Sequence, residues 1–225
     1  MPKKQAKACV QPTQMVKTDG KDVVMDENLV LFHKGWPSQW HMSDFEDEEG
    51  KRFNCCEQYM MFHKARLMGD MDTAQDVMKT ANPAQQKRLG RLVANFDADL
   101  WDKACDEVVY RGNLFKFAQN AELRAELLAT GHRTLAEASP YDKIWGIGLA
   151  AENWSAWNPK LWKGANRLGK ALMRVRAELI AQGGREGARE GGEGAREGAK
   201  EGAREGAREG AAVVEPARVA AAAAL

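Results

Sequence analysis

The chain has 225 residues, 44% of them hydrophobic, and a formal net charge of +1. That length supports one sizeable core, and the balanced charge offers no global field for nucleic acid or membrane, leaving only a local basic patch to be considered. No apolar run approaches the ~20 residues of a membrane span, and Met1-Pro2-Lys3-Lys4 has no apolar stretch behind it, which argues against a secretory leader.

Residues 1–28 are polar, lack a sustained period, and are read as a flexible arm. One compact domain is predicted over residues 29–182. Leu29-Val30-Leu31-Phe32 is a short β-prone run. A second is expected near Phe53, after the acidic turn Glu46-Asp47-Glu48-Glu49-Gly50, and the two are expected to pair as a small sheet. Helices follow. Asn54 is placed to cap one that carries Glu57, with Met60, Met61, Lys64 and Leu67 continuing one face. A short helix over residues 72–78 stops before Asn82-Pro83, and Pro83 suits the first turn of another reaching about Leu92. Trp101, Ala104, Cys105, Val108 and Val109 form an i, i+3, i+4, i+7, i+8 stripe between residues 98 and 111. Leu123, Leu127 and Leu128 make a shorter stripe that stops at Gly131. Leu168, Leu172, Val175 and Leu179 mark a last helix from near Asn166 to Gly183-Gly184.

At residue 183 the composition changes. Glu-Gly-Ala-Arg tetrads repeat from Glu186 to about residue 210. A glycine every fourth position costs about 1 kcal/mol relative to alanine in a helix, and no apolar face offsets it. Residues 183–225 therefore read as a disordered tail. The expected fold class is α+β and mainly α-helical: a single domain with a small β element near its N-terminus and a low-complexity C-terminal tail. Cys9, Cys55, Cys56 and Cys105 lack framework spacing and fit a reducing compartment. The cytoplasm is expected, with the nucleus as the alternative.

The most informative segment is Cys56-Glu57-Gln58-Tyr59-Met60-Met61-Phe62-His63-Lys64-Ala65. Glu57 and Lys64 are seven positions apart, which at 3.6 residues per turn brings them onto one helix face. Helical side chains lean toward the N-terminus, so the Lys64 amine reaches back toward Glu57. An acid and an amine facing one space can do chemistry at a sugar carbon.

The wording of this segment resembles the signature of the NADAR (YbiA-like) family of N-glycosidases. The resemblance continues through Lys87-Arg88-Leu89-Gly90-Arg91, Phe96-Asp97 before Trp101, and Lys116-Phe117-Ala118-Gln119-Asn120. It resumes at Leu127-Leu128-Ala129-Thr130-Gly131 and at Glu137-Ala138-Ser139-Pro140-Tyr141-Asp142-Lys143-Ile144-Trp145-Gly146-Ile147-Gly148, and closes at Trp162-Lys163-Gly164-Ala165-Asn166-Arg167-Leu168-Gly169. These blocks keep their order over roughly residues 29–180. The resemblance implies a YbiA-like catalytic domain, with Glu57, Lys64 and Asp142 as catalytic residues and Trp101 as part of the binding wall. Separately, His33, His41, His63 and His132 are scattered and the vicinal Cys55-Cys56 suits tetrahedral zinc poorly, so no metal site and no cofactor are expected.

Each assignment has a plainer competitor. Asn54-Cys55-Cys56-Glu57 is close to a capping box, in which Glu57 would only satisfy the Asn54 amide; as a catalytic group it would be kept ionised by the helix N-terminus. Lys64 lies on the Glu57–Met60/Met61 face, where burial would lower its pKa and free an amine nucleophile. Asp142 follows Pro140 and either caps the next turn or polarises water and steadies a cationic sugar. Trp101 belongs to a core stripe, a role compatible with stacking on a base. Trp145, Trp154, Trp157 and Trp162 are crowded together, some packing and one or two lining a pocket for planar ligands.

Gly146-Ile147-Gly148-Leu149-Ala150-Ala151 matches the dinucleotide fingerprint formally but lacks its strand and distal acid, so it is read as a tight turn that brings amides near a phosphate. Arg52, Lys163, Asn166 and Arg167 are further phosphate candidates. Ser38 is a candidate contact in Gly35-Trp36-Pro37-Ser38-Gln39-Trp40, where Gln39 and Trp40 depart from the family's asparagine and phenylalanine.

The function expected from the resemblance is hydrolysis of a ribose C1–nitrogen bond, with two substrate classes: ADP-ribose on guanine in nucleic acid or nucleotides, and an early ribosylamino-pyrimidine intermediate of riboflavin synthesis. The first is preferred because no riboflavin-pathway partner domain is recognisable in the chain. A module that binds ADP-ribose or NAD without cleaving it is the non-enzymatic alternative. The partner in each case is a small molecule or nucleic acid carrying the ribosyl group, with no membrane involved.

Overall fold

A computed structural model describes the backbone of residues 16–17 and all of residues 22–185. The repeat from Glu186 onward, most of the predicted tail, lies outside the described residues, as does much of the predicted arm. Within the described part of that arm, Val16–Lys17 and Val23–Met25 are strands. Strands β1 (Val16–Lys17), β2 (Val23–Met25), β3 (Leu29–Phe32) and β6 (Thr134–Glu137) form one sheet in the order β1-β2-β3-β6. The cause is a local turn: Asp26 Oδ1 accepts the N–H groups of Asn28 (2.7 Å) and Leu29 (2.6 Å), folding Val23–Met25 back antiparallel onto Leu29–Phe32.

β6 was not visible in the sequence. It pairs parallel with β3, in register Leu29 with Thr134 and Phe32 with Glu137. The run near Phe53 is a strand, β5 (Arg52–Phe53), but it pairs with β4 (Phe45–Glu46) in a separate hairpin and not with Leu29–Phe32. Both faces of β3 are covered: Val30 and Phe32 enter the main core, whereas Leu29 and Leu31 pack with Ala136, Ile147 and Ala156 on the other side. A strand buried on both faces is apolar throughout and shows no alternation.

The first helix, α1 (Cys56–Leu67), packs against α2 (Met71–Lys79), α3 (Pro83–Gly90) and α4 (Ala98–Gln119). Its first seven residues are all buried, so it is a central helix that meets solvent only in its last turn, at Arg66 and Leu67. The next three helices start on short polar caps: Asp70 accepts Thr73 N–H, Asn82 accepts Ala84 and Gln85 N–H ahead of Pro83, and Asp97 accepts Leu100 N–H. α5 (Ala121–Ala129) ends as predicted near Gly131, whose φ of 59° is the left-handed value a helix stop uses. The last helix, α6, starts at residue 167 and runs to 185; Leu168, Leu172, Val175 and Leu179 are all buried. The compact unit extends to Ile180. Among the described residues no helix is long and apolar enough to cross a membrane.

Candidate active site

The C-terminal ends of the parallel strands β3 and β6 open onto a cavity of about 1180 Å³, walled by α1, the end of α3 and the start of α4. This is where parallel strands place ligand sites: loops leaving adjacent strand ends diverge and leave a crevice. β3 feeds His33, Lys34 and Gly35 into the rim, and β6 delivers Glu137 and Ser139. From α1, Glu57, Met60, Met61 and Lys64 all line the same wall, the i, i+3, i+4, i+7 face read from the sequence.

Glu57 is only 5% exposed, and the cap that competed for it is made by its neighbour. Gln58 Oε1 accepts the Asn54 N–H at 2.8 Å, while Gln58 Nε2 donates to the carbonyls of Val77 and Thr80. The N-cap residue is Cys55, not Asn54. The Glu57 carboxyl is thereby left for the cavity. Burial pushes its pKa up; Lys87, the Trp40 side chain and Arg91 oppose that, and Asp142 adds to it. Burial is the largest of these influences on the carboxyl.

Lys64 Nζ donates to the Gly90 carbonyl at 2.6 Å and sits 4.2 Å from the Phe96 ring centroid and 6.0 Å from that of Trp101. Burial lowers its pKa, the Arg91 charge lowers it further, and Glu57 counteracts both. Gly90 admits this contact by having no side chain: a Cβ there would meet Met61, 2.9 Å from its Cγ and nearer still to its Sδ.

Asp142 makes the turn cap weighed for it. Its Oδ1 accepts the N–H groups of Ile144 (2.9 Å) and Trp145 (2.7 Å), capping the turn, and the residue also lines the cavity. Trp101, Trp145 and Ser38 also line it. The Ser38 loop is held from beneath by Lys116, which is fully buried and donates to the carbonyls of Trp36 (2.7 Å) and Ser38 (3.0 Å). Gln39 and Trp40, the departures from the family pattern, are part of the lining as well.

Six predicted binding residues lie outside this lining. Arg52 is on the β4–β5 hairpin, exposed and paired with Glu46 at 2.7 Å. Asn166 is 2% exposed and serves the backbone: its Nδ2 donates to Leu135 O and its Oδ1 accepts Glu137 N–H. Gly146 is wedged where a Cβ would come 2.8 Å from Glu137 O and 2.9 Å from Asp142 O, and the Gly148 N–H is used by Asp142 O, so the pair builds a tight turn and presents no amides to a phosphate. Arg167 is held by Asp106 (2.6 Å) and Asp102 (2.5 Å), and Lys163 is exposed, with no place among the lining residues. Of the clustered tryptophans, only Trp145 reaches the cavity; Trp157 and Trp162 donate their indole N–H to Ala151 O and Ala156 O behind the sheet.

Residues the sequence reading passed over complete the lining. Lys87 and Arg91 come from the end of α3 and were legible as an i, i+4 pair flanking Gly90 on one face. With Lys34, Lys64 and Lys143 they set five cations against the carboxyls of Glu57, Glu137 and Asp142. Glu137 had no local signal beyond its place in the Glu137–Gly148 block, because the strand that carries it was unseen. Its carboxyl is pushed up to about 7 by burial first, then by the Asp142 and Glu57 charges, against Lys87.

Residues 29–180 match the family model described as the NADAR domain. An N-glycosidase of Acanthamoeba polyphaga mimivirus is 45% identical over 145 residues, spanning 63% of this chain and 85% of that protein. The chloroplastic riboflavin biosynthesis protein PYRR of Zea mays is 29% identical over 171 residues, 69% of this chain but 26% of that protein. The NMR structure of the Escherichia coli protein YbiA superposes with a TM-score of 0.58 at 27% identity, covering 71% of this chain and 89% of YbiA.

Proposed function

The chain belongs to the NADAR domain family, and on that premise we propose that it is an N-glycosidase that hydrolyses ribose C1–nitrogen bonds and removes ADP-ribose from guanine in nucleic acid or nucleotides. One observation carries the chemistry: Glu57 and Lys64 share one helix face and open into one cavity, the carboxyl buried and the amine half-buried. As the C1–nitrogen bond breaks, positive charge develops on the sugar, and a carboxylate in a dry cleft offsets it. We assign that role to Glu57.

Lys64, with its pKa lowered by burial, is the nucleophile of the proposed route. Its lone pair bonds to C1, the nitrogen base leaves with the electron pair of the broken bond and takes up a proton, and opening of the sugar ring leaves an imine on Nζ. Water then adds to C1, releasing the sugar and restoring the amine. Asp142, fixed by its turn, orients that water, and Trp101 and Trp145 flank the base.

Two features favour ADP-ribosyl-guanine over the smaller riboflavin intermediate. The excess of cations suits a diphosphate, and about 1180 Å³ exceeds the roughly 300–1,000 Å³ of ordinary small-molecule pockets. The likeness to the maize riboflavin protein supports the second substrate class.

The test is a panel of ADP-ribosylated DNA, ADP-ribosylated guanosine, the ribosylamino-pyrimidine and NAD, incubated with wild type and Glu57→Gln and read by mass analysis. Release of ADP-ribose by wild type alone is the expected result. Ligand returned intact throughout would make the protein a binding module, and turnover by a fully active Glu57→Gln would remove Glu57 from the chemistry. Borohydride should trap sugar on Lys64; no adduct would favour direct attack by water.

A further inference from the structure

The leaving base needs a proton, and neither Glu57, assigned to the sugar charge, nor Asp142, whose Oδ1 is held by three backbone N–H groups, is placed to supply it. A third carboxyl is. Glu137 ends β6 at the mouth of the parallel pair, and the strand, its register with Phe32, and the bonds Glu137 N–H to Asn166 Oδ1 and Ile147 N–H to Glu137 O hold its backbone fixed. The residue lines the cavity, yet its Oε2 is shielded and accepts no hydrogen bond. A buried carboxylate oxygen without a donor is costly, so the carboxyl favours its protonated form, and the part of it that lines the cavity is where that proton can be given up.

We propose that Glu137 is the general acid of this site, its carboxyl protonating the leaving nitrogen as the C1–N bond breaks. The inference rests on the N-glycosidase reading above. The electron pair of the broken bond goes to the nitrogen with the Glu137 proton, and the resulting carboxylate takes a proton back from the water that adds to C1, closing the cycle. The groups facing it are Asp142 from the loop after β6, Glu57 from α1 and Lys87 from α3. Burial and the two acids hold the proton on, against Lys87, up to about pH 7. Glu137 is thus the acid, Glu57 the charge stabiliser, and Asp142 the water ligand.

The experiment compares wild type with Glu137→Gln, a shape-conserving change, on ADP-ribosylated guanosine between pH 5 and 9. Wild-type kcat should fall as pH rises through about 7, when the acid loses its proton. Glu137→Gln should lose about 10²–10⁴-fold in kcat, keep KM within about twofold, and no longer show that alkaline limb. Infrared difference spectra of wild type against Glu137→Gln should show one protonated carboxyl disappearing near pH 7. An active wild type whose Glu137→Gln variant keeps both rate and alkaline limb overturns this assignment alone, as does a carboxyl band that titrates in the ordinary glutamate range. A wild type inactive on every substrate overturns the functional reading and this assignment with it.

Discussion

Replacing Glu137 by glutamine should stabilise the protein increasingly as pH rises above 4.5. The carboxyl rises from the ordinary glutamate value of 4.5 to about 7 in the folded chain. Below pH 4.5 folded and unfolded states both hold the proton, so this group makes no difference between variant and wild type. Between 4.5 and about 7 the folded state holds a proton that the unfolded state has released, so wild-type stability falls across that window. At about 1.36 kcal/mol per pH unit, the cost levels off near 3 kcal/mol above pH 7. Glutamine stands in for the protonated acid and avoids that cost. For a chain of this length 1 kcal/mol moves Tm by roughly 2–4 °C, so Glu137→Gln should melt about 6–12 °C above wild type at pH 8.5 and level with it at pH 4.5. Differential scanning calorimetry across that range measures the difference. A constant offset at all pH values, or none, would mean that the carboxyl ionises normally and that the cavity is wetter than its lining implies.

Gly90→Ala should push Met61 into the cavity and loosen the Lys64 anchor; overpacking of this kind costs about 1–3 kcal/mol, and urea unfolding with steady-state kinetics should show lower stability and a raised KM together, whereas unchanged kinetics would detach Gly90 from the site. Lys116→Met leaves the carbonyls of Trp36 and Ser38 without their donor, so a net loss of about 1–3 kcal/mol is expected by denaturant titration, together with weaker substrate binding; equal stability would show that the loop holds itself. Arg52→Ala should leave both kcat and KM of an ADP-ribosyl substrate unchanged, because Arg52 pairs with Glu46 on a hairpin apart from the cavity; a rise in KM would return the hairpin to the binding surface.

The sequence by itself determined what periodicity and local capping control. The helix starts at Asp70, Asn82 and Asp97 are side-chain-to-backbone bonds within three residues, and the α6 stripe is a matter of helical pitch alone. The same pitch put Glu57 and Lys64 on one face, and the structure opens that face into a cavity. Only the tertiary structure decided what depends on partners far along the chain. β6 is four residues, Thr134–Glu137, with no pattern of its own; it is a strand because β3, a hundred residues earlier, supplies its hydrogen bonds. The same long-range packing took the capping role from Glu57 and gave it to Gln58, which Val77 and Thr80 hold in place. It turned Asn166 inward to serve the backbone and set Arg167 against two surface aspartates, Asp102 and Asp106. It also removed water from Glu137, which no reading of neighbouring residues reveals, because desolvation is set by everything that surrounds a group in space and not by what adjoins it in sequence.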